Sequence, residues 1–118
     1  MKYFALLAFT SFPFAAWSDA AVIEAVQARG SNGAWNFAVT LSHPDSGWEH
    51  YADGWEVLAP DGVRLGHREL LHPHVNEQPF TRSLGGVAIA DNIDHITIRA
   101  KCSVDGWVGG EFEVPLVR

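Results

Sequence analysis

The segment Ala34–Ser42, AWNFAVTLS, decides the fold: Trp35, Phe37, Val39 and Leu41 fall on one face, and Asn36, Thr40 and Ser42 on the other. Side chains that alternate with a period of two belong to a strand with one buried and one wetted face. Working outward, Trp55, Val57 and Ala59 repeat the alternation in residues 54–59. Pro60-Asp61-Gly62 then supplies a turn, because proline presets φ and glycine accepts a positive one. Val63, Leu65 and His67 alternate with Arg64 and Arg68 in the partner strand. Phe80–Ile89 is expected to form a strand bulged at Gly85-Gly86. His95–Ser103 places Ile96, Ile98, Ala100 and Cys102 on one face, and Glu111–Val117 turns Phe112, Val114 and Leu116 inward.

Upstream, residues 20–29 admit an Ala-rich helix with Asp19 as N-cap, or a strand with Val22, Val26 and Ala28 on one face. The Ser31-Asn32-Gly33 turn leads directly into Ala34–Ser42 and selects the strand, as one arm of a hairpin. Seven short strands, with turn signals every ~8–12 residues, predict an all-β domain: an immunoglobulin- or fibronectin-III-like β-sandwich.

The first 18 residues read as a signal peptide. Met1-Lys2 is a minimal positive start, and residues 3–16 hold 11 apolar residues and no charge. Ala16-Trp17-Ser18 puts small residues where cleavage before Asp19 needs them, leaving residues 19–118 as a single sandwich domain. No cysteine stands near that point, which argues against bacterial lipidation there. The run is too short for a spanning helix of ~20 residues and contains Pro13. No second hydrophobic segment follows, so the expected product has no membrane span and is periplasmic or secreted.

Composition narrows the chemistry. With 14 Asp+Glu against 8 Lys+Arg, the chain lacks the basic stripe of a nucleic-acid binder. Its single cysteine forms neither an internal disulfide nor a Cys-rich zinc cluster. The lone methionine is the initiator, which removes Met-rich Cu(I) sites.

The connections after the second, fourth and sixth strands, His43–Asp53, Leu71–Pro79 and Val104–Gly110, lie at one end of such a sandwich. They gather four of the six histidines. In His72-Pro73-His74 the residue before proline is extended, and a β-like tripeptide projects both imidazoles to one side. Glu77 adds a carboxylate and His50 an imidazole from the neighbouring loop, a donor set suited to Zn²⁺ or Cu²⁺. Zinc–nitrogen bonds of ~2.0–2.1 Å require these nitrogens within about 3.5 Å of one another. Imidazoles splayed and held by backbone hydrogen bonds argue against that set.

A competing reading is a metal-free interaction module. Here Trp48, Tyr51 and Trp107, with His43 and Asp53, present an aromatic platform to a protein, peptide or glycan. A third reading is structural: Glu77 pairs with Arg82 or Arg68, and Phe80 plugs the core. Cys102 reads as a buried packing residue, since Ser103-Val104-Asp105-Gly106-Trp107 brings neither His nor Met for a copper site. His67 and His95 read as structural. No Gly-x-Ser-x-Gly elbow is present, so no enzyme is expected, with metal-assisted hydrolysis the one chemistry left open.

The segments GWEHYADGWEV (Gly47–Val57) and LLHPHVNEQPFTRSL (Leu70–Leu84) resemble a family of small exported bacterial proteins of unknown function. More loosely, so does the loop Asp105–Gly110. The resemblance implies export and a compact single domain, and it supplies no activity.

Overall fold

In the computed structural model, which describes residues 20–118, the chain runs through seven strands, and no helix forms among the described residues. They are β1 (Val22–Ser31), β2 (Ala34–Ser42), β3 (Ala52–Leu58), β4 (Arg64–Glu69), β5 (Phe80–Ala88), β6 (His95–Cys102) and β7 (Glu111–Pro115). The expected signal peptide lies outside the described residues. One sheet has the order β1-β2-β5 and the other β4-β3-β6-β7, every pairing antiparallel. This is the expected all-β sandwich of the immunoglobulin/fibronectin-III kind, with helix excluded for residues 20–29.

The alternation in the sequence becomes the interior. Trp35, Phe37, Val39 and Leu41 of β2 face Trp55 and Val57 of β3 and Ile96, Ile98 and Ala100 of β6, all buried. Apolar area removed from water at ~25 cal/mol per Å² drives the two faces together. The indole of Trp35 lies against the backbone of its cross-strand neighbour Gly30, where an added Cβ would fall 2.2 Å from the ring. Only glycine leaves room there.

One inward face differs from the simple pattern. The β1–β2 register shifts between Ile23 and Ala25, so an extra residue in β1 reverses the alternation at its start. Ile23, Val26 and Ala28 pack against the core, and Val22, expected inside, is exposed. The expected β5 bulge is present, since Trp35 pairs with Val87 and Phe37 with Leu84 across Gly85-Gly86. The β1–β2 turn has positive φ at both Asn32 (56°) and Gly33 (81°), the turn whose twist suits a hairpin.

Hydrogen bonds tie the β2–β3, β4–β5 and β6–β7 connections together at one end. The Ser103 N–H donates to the Tyr51 carbonyl (2.8 Å), and the His43 N–H donates to Gln78 Oε1 (3.0 Å). Gln78 Nε2 donates in turn to the His74 carbonyl at 2.9 Å. The site forms on this frame.

Candidate metal centre

His43 is the first residue after β2, Cys102 the last of β6, and His50 stands two residues before β3. Because Ala52 pairs with Cys102 across the sheet, the chain leading into β3 passes beside the thiol. One ring nitrogen of His43, one of His50 and Cys102 Sγ all lie within 4.8 Å of one another. His50 Nε2 is 3.5 Å from Cys102 Sγ, and the His43 and His50 rings meet edge to face with centroids 4.8 Å apart.

Asp45 sets the orientation of His43. Its Oδ1 accepts the His43 Nδ1–H at 2.6 Å and the Ala52 N–H at 3.0 Å, while Oδ2 accepts the His74 N–H at 2.7 Å. Both members of the His43–Asp45 pair are fully buried at their side chains. With Nδ1 committed to the carboxylate, Nε2 is the nitrogen left for a ligand, and it is buried without a hydrogen-bond partner. A carboxylate behind an imidazole is the usual second layer of a metal-binding histidine, fixing its tautomer and ring plane. A buried polar atom with no partner costs ~1–3 kcal/mol, which a bound cation would relieve.

Cys102 is 1% exposed and unpaired by any disulfide. It is buried as expected, and it also has polar neighbours. Its sulfur faces His50, accepts the Asp105 N–H at 3.3 Å and lies 3.7 Å from Asp105 Oδ2. Two imidazoles and one thiol suit a Zn²⁺- or copper-type ion.

The expected set of His72, His74, Glu77 and His50 is arranged differently. His72 and His74 are neighbours, with ring centroids 4.6 Å apart; one nitrogen of each has a partner, while His74 Nδ1 is buried without one. His72 Nδ1 bonds the Pro73 carbonyl at 3.1 Å, and the Arg82 guanidinium donates to His74 Nε2 at 2.8 Å. His74 is buried and stacks on Phe80 with centroids 3.9 Å apart. Burial first, then the Arg82 and His72 charges, push its pKa below the ordinary imidazole range. Glu77 is exposed, 3.7 Å from Arg82 and 4.0 Å from His74 Nε2. His50 goes instead to His43 and Cys102. The two imidazoles of this loop are therefore close together rather than splayed, with His72 Nδ1 on a backbone carbonyl and His74 Nε2 on Arg82.

The aromatic residues divide as well. Trp48 and Tyr51 meet edge to face at 5.6 Å, with Trp48 67% exposed. Trp107 joins a separate group on the four-stranded sheet, with His67 (6.4 Å between ring centroids) and the cations of Arg99 (5.0 Å), Arg64 (5.7 Å) and Lys101 (5.8 Å). Asp53 pairs with Lys101 at 2.8 Å. The sequence signals missed were positional: Cys102 closes β6 at the loop end, and Asp45 follows His43 by two residues.

The chain is similar to a protein of Halomicrobium mukohataei that bears the name "Putative lipoprotein", at 36% identity over 91 residues. The match covers 77% of this chain and 44% of that relative, so the chain spans less than half the relative's length. No protein-family model matches the chain, and no solved structure matches it at a significant level.

Proposed function

We propose that this protein is an exported metal-binding module whose site is His43, His50 and Cys102. The observation that carries the reading is the buried Nε2 of His43. It has no hydrogen-bond partner, and Asp45 fixes its ring from behind. The donors lie within 4.8 Å of one another, and side-chain rotations that shorten the longest separation by about 1 Å reach what bonds of ~2.0–2.3 Å require. Export is the reading supported by the apolar N-terminal run and by the name of the relative. The lipoprotein name itself does not extend to Cys102, which is buried within a strand and cannot carry an acyl chain there.

A thiol beside an imidazole, as Cys102 lies beside His50, also raises the question of an activated nucleophile. We read the sulfur as a ligand because a nucleophile must meet a substrate carbonyl, and a residue 1% exposed offers no approach. A second reading, the aromatic platform, is favoured by one observation: Trp48, Leu71 and Val75 are all more than half exposed. In that reading Trp48 and Tyr51 meet a protein, peptide or glycan, and Trp107 takes no part.

The test is a zinc titration of reduced, tag-free protein against a chromophoric chelator. Wild type is expected to bind one Zn²⁺ per chain. His43→Ala and Cys102→Ser should lose that binding, and the His72→Ala/His74→Ala pair should retain it. Loss in the double variant alone would move the site to the β4–β5 loop. No binding by wild type would favour the aromatic platform.

A further inference from the structure

A three-donor site leaves a coordination position to fill, and the β6–β7 loop carries one carboxylate to it. Cys102 N–H donates to the Gly106 carbonyl (3.1 Å), and Gly106 N–H donates back to the Cys102 carbonyl (2.9 Å). This two-way turn closes with Gly106 at φ 69°, a conformation glycine adopts without strain. Its effect is to fold Asp105 back over the thiol. Asp105 Oδ2 lies 3.7 Å from Cys102 Sγ and 3.9 Å from His50 Nε2, and His50 Nε2 lies 3.5 Å from the same sulfur.

We propose, resting on the metal-binding reading above, that Asp105 is the fourth ligand and that the site is a tetrahedral N₂SO centre for Zn²⁺. A tetrahedron with Zn–N and Zn–O bonds of ~2.0–2.1 Å and a Zn–S bond of ~2.3 Å has edges of about 3.3–3.6 Å. The separations among Asp105, His50 and Cys102, 3.5, 3.7 and 3.9 Å, lie at or slightly beyond those edges, so the three form one triangular face. His43, buried and fixed by Asp45, closes the fourth corner from the interior. The side chains of Asp105 and His50 are 32% and 19% exposed, against 0% for His43. The carboxylate corner therefore faces solvent and is the side from which an ion enters.

The chemistry of loading balances simply. The ion sheds water and forms four bonds to protein, and the Cys102 thiol proton leaves to solvent as the thiolate binds. In the structure the Cys102 thiol donates to Asp105 Oδ2 across 3.7 Å. The hydrogen bond gives way to two metal bonds on the same pair of atoms. The Asp105 N–H stays on the sulfur, where it supports a metal-bound thiolate. A donor set of two imidazoles, a thiolate and a carboxylate suits zinc.

Cobalt(II) serves as the spectroscopic probe on the full chain, with zinc affinity measured beside it. Wild type is expected to show the thiolate-to-cobalt charge-transfer band and the intense visible bands of four-coordinate cobalt. Asp105→Asn and Asp105→Ala should keep the charge-transfer band, lose the tetrahedral intensity, and bind zinc at least about tenfold more weakly. Variants with the wild-type spectrum and affinity would overturn the role of Asp105 while leaving the three-ligand site standing. Absence of the charge-transfer band in folded wild type would overturn both. Two variants are used because Asn keeps the shape of the side chain and tests ligation with little risk to folding.

Discussion

Replacing Asp45 removes the acceptor on which two loops and the candidate site converge. Its carboxylate takes three donors: the His43 ring N–H and the backbone N–H groups of Ala52 and His74. All three residues are buried or nearly so, so water cannot take its place. Each donor left unsatisfied costs ~1–3 kcal/mol, and removing one partner of a buried polar pair typically costs ~3–5 kcal/mol. Asp45→Ala should therefore lose about 3–5 kcal/mol, a large part of the ~5–15 kcal/mol expected for a domain. A loss of ~3 kcal/mol corresponds to a melting point lower by roughly 12–24 °C at this chain length. Asp45→Asn keeps one carbonyl oxygen but turns an NH₂ toward a donor, and should lose about 1–3 kcal/mol. The assay is urea unfolding followed by circular dichroism, with the slope m unchanged so that the midpoint shift reads stability. In the folded Asn variant, zinc affinity should fall by ~10–100-fold, the usual worth of a carboxylate behind a ligating histidine. An alanine variant within ~1 kcal/mol of wild type, below the cost of even one orphaned donor, would refute the reasoning.

Other expectations follow from the same structure. Gly30→Ala pushes a methyl into the Trp35 ring, and thermal unfolding should show a loss of ~1–3 kcal/mol; an unchanged melting point would contradict the packing. Glu56 is buried and bonds Arg64 Nε (2.9 Å) and Arg99 Nε (2.8 Å), whose side chains are partly exposed, so Glu56→Gln should cost only ~1–2 kcal/mol in urea. Because the folded His74 imidazole titrates below its ordinary value of about 6.5, the unfolded chain binds the extra proton in the window beneath that value. Stability from His74 should thus fall as pH drops below ~6.5, and His74→Gln should flatten that slope; an identical pH profile in the variant would contradict it. Asp94 acts oppositely on His95: its hydrogen bond raises that pKa, so the contribution is present at low pH and lost as pH rises through the folded value. Asp94→Asn should remove it.

The fold was legible because the interior is written as alternation. Trp35 to Leu41 and Ile96 to Cys102 each bury every second side chain, and no other period fits them. Val22 was misplaced because a bulge depends on how a partner strand registers, which a single strand's pattern does not contain. The loop end was legible as a place and only partly as chemistry. Histidine spacing drew attention to His72-Pro73-His74, but spacing cannot show that Arg82, eight residues beyond His74, takes its nitrogen. Cys102 read as a core residue since its alternation is that of the core. Its place beside His50 and Asp105 arises from the turn at Gly106 and from the β3–β6 register, both products of the assembled sandwich.

The most direct test of the central claim is X-ray absorption at the zinc edge of protein loaded with one equivalent of Zn²⁺. One sulfur scatterer at ~2.3 Å is expected, with nitrogen and oxygen donors at ~2.0–2.1 Å that include the outer-shell signature of two imidazoles. A first shell of nitrogen and oxygen alone, with no sulfur, would place the metal away from Cys102 and contradict it.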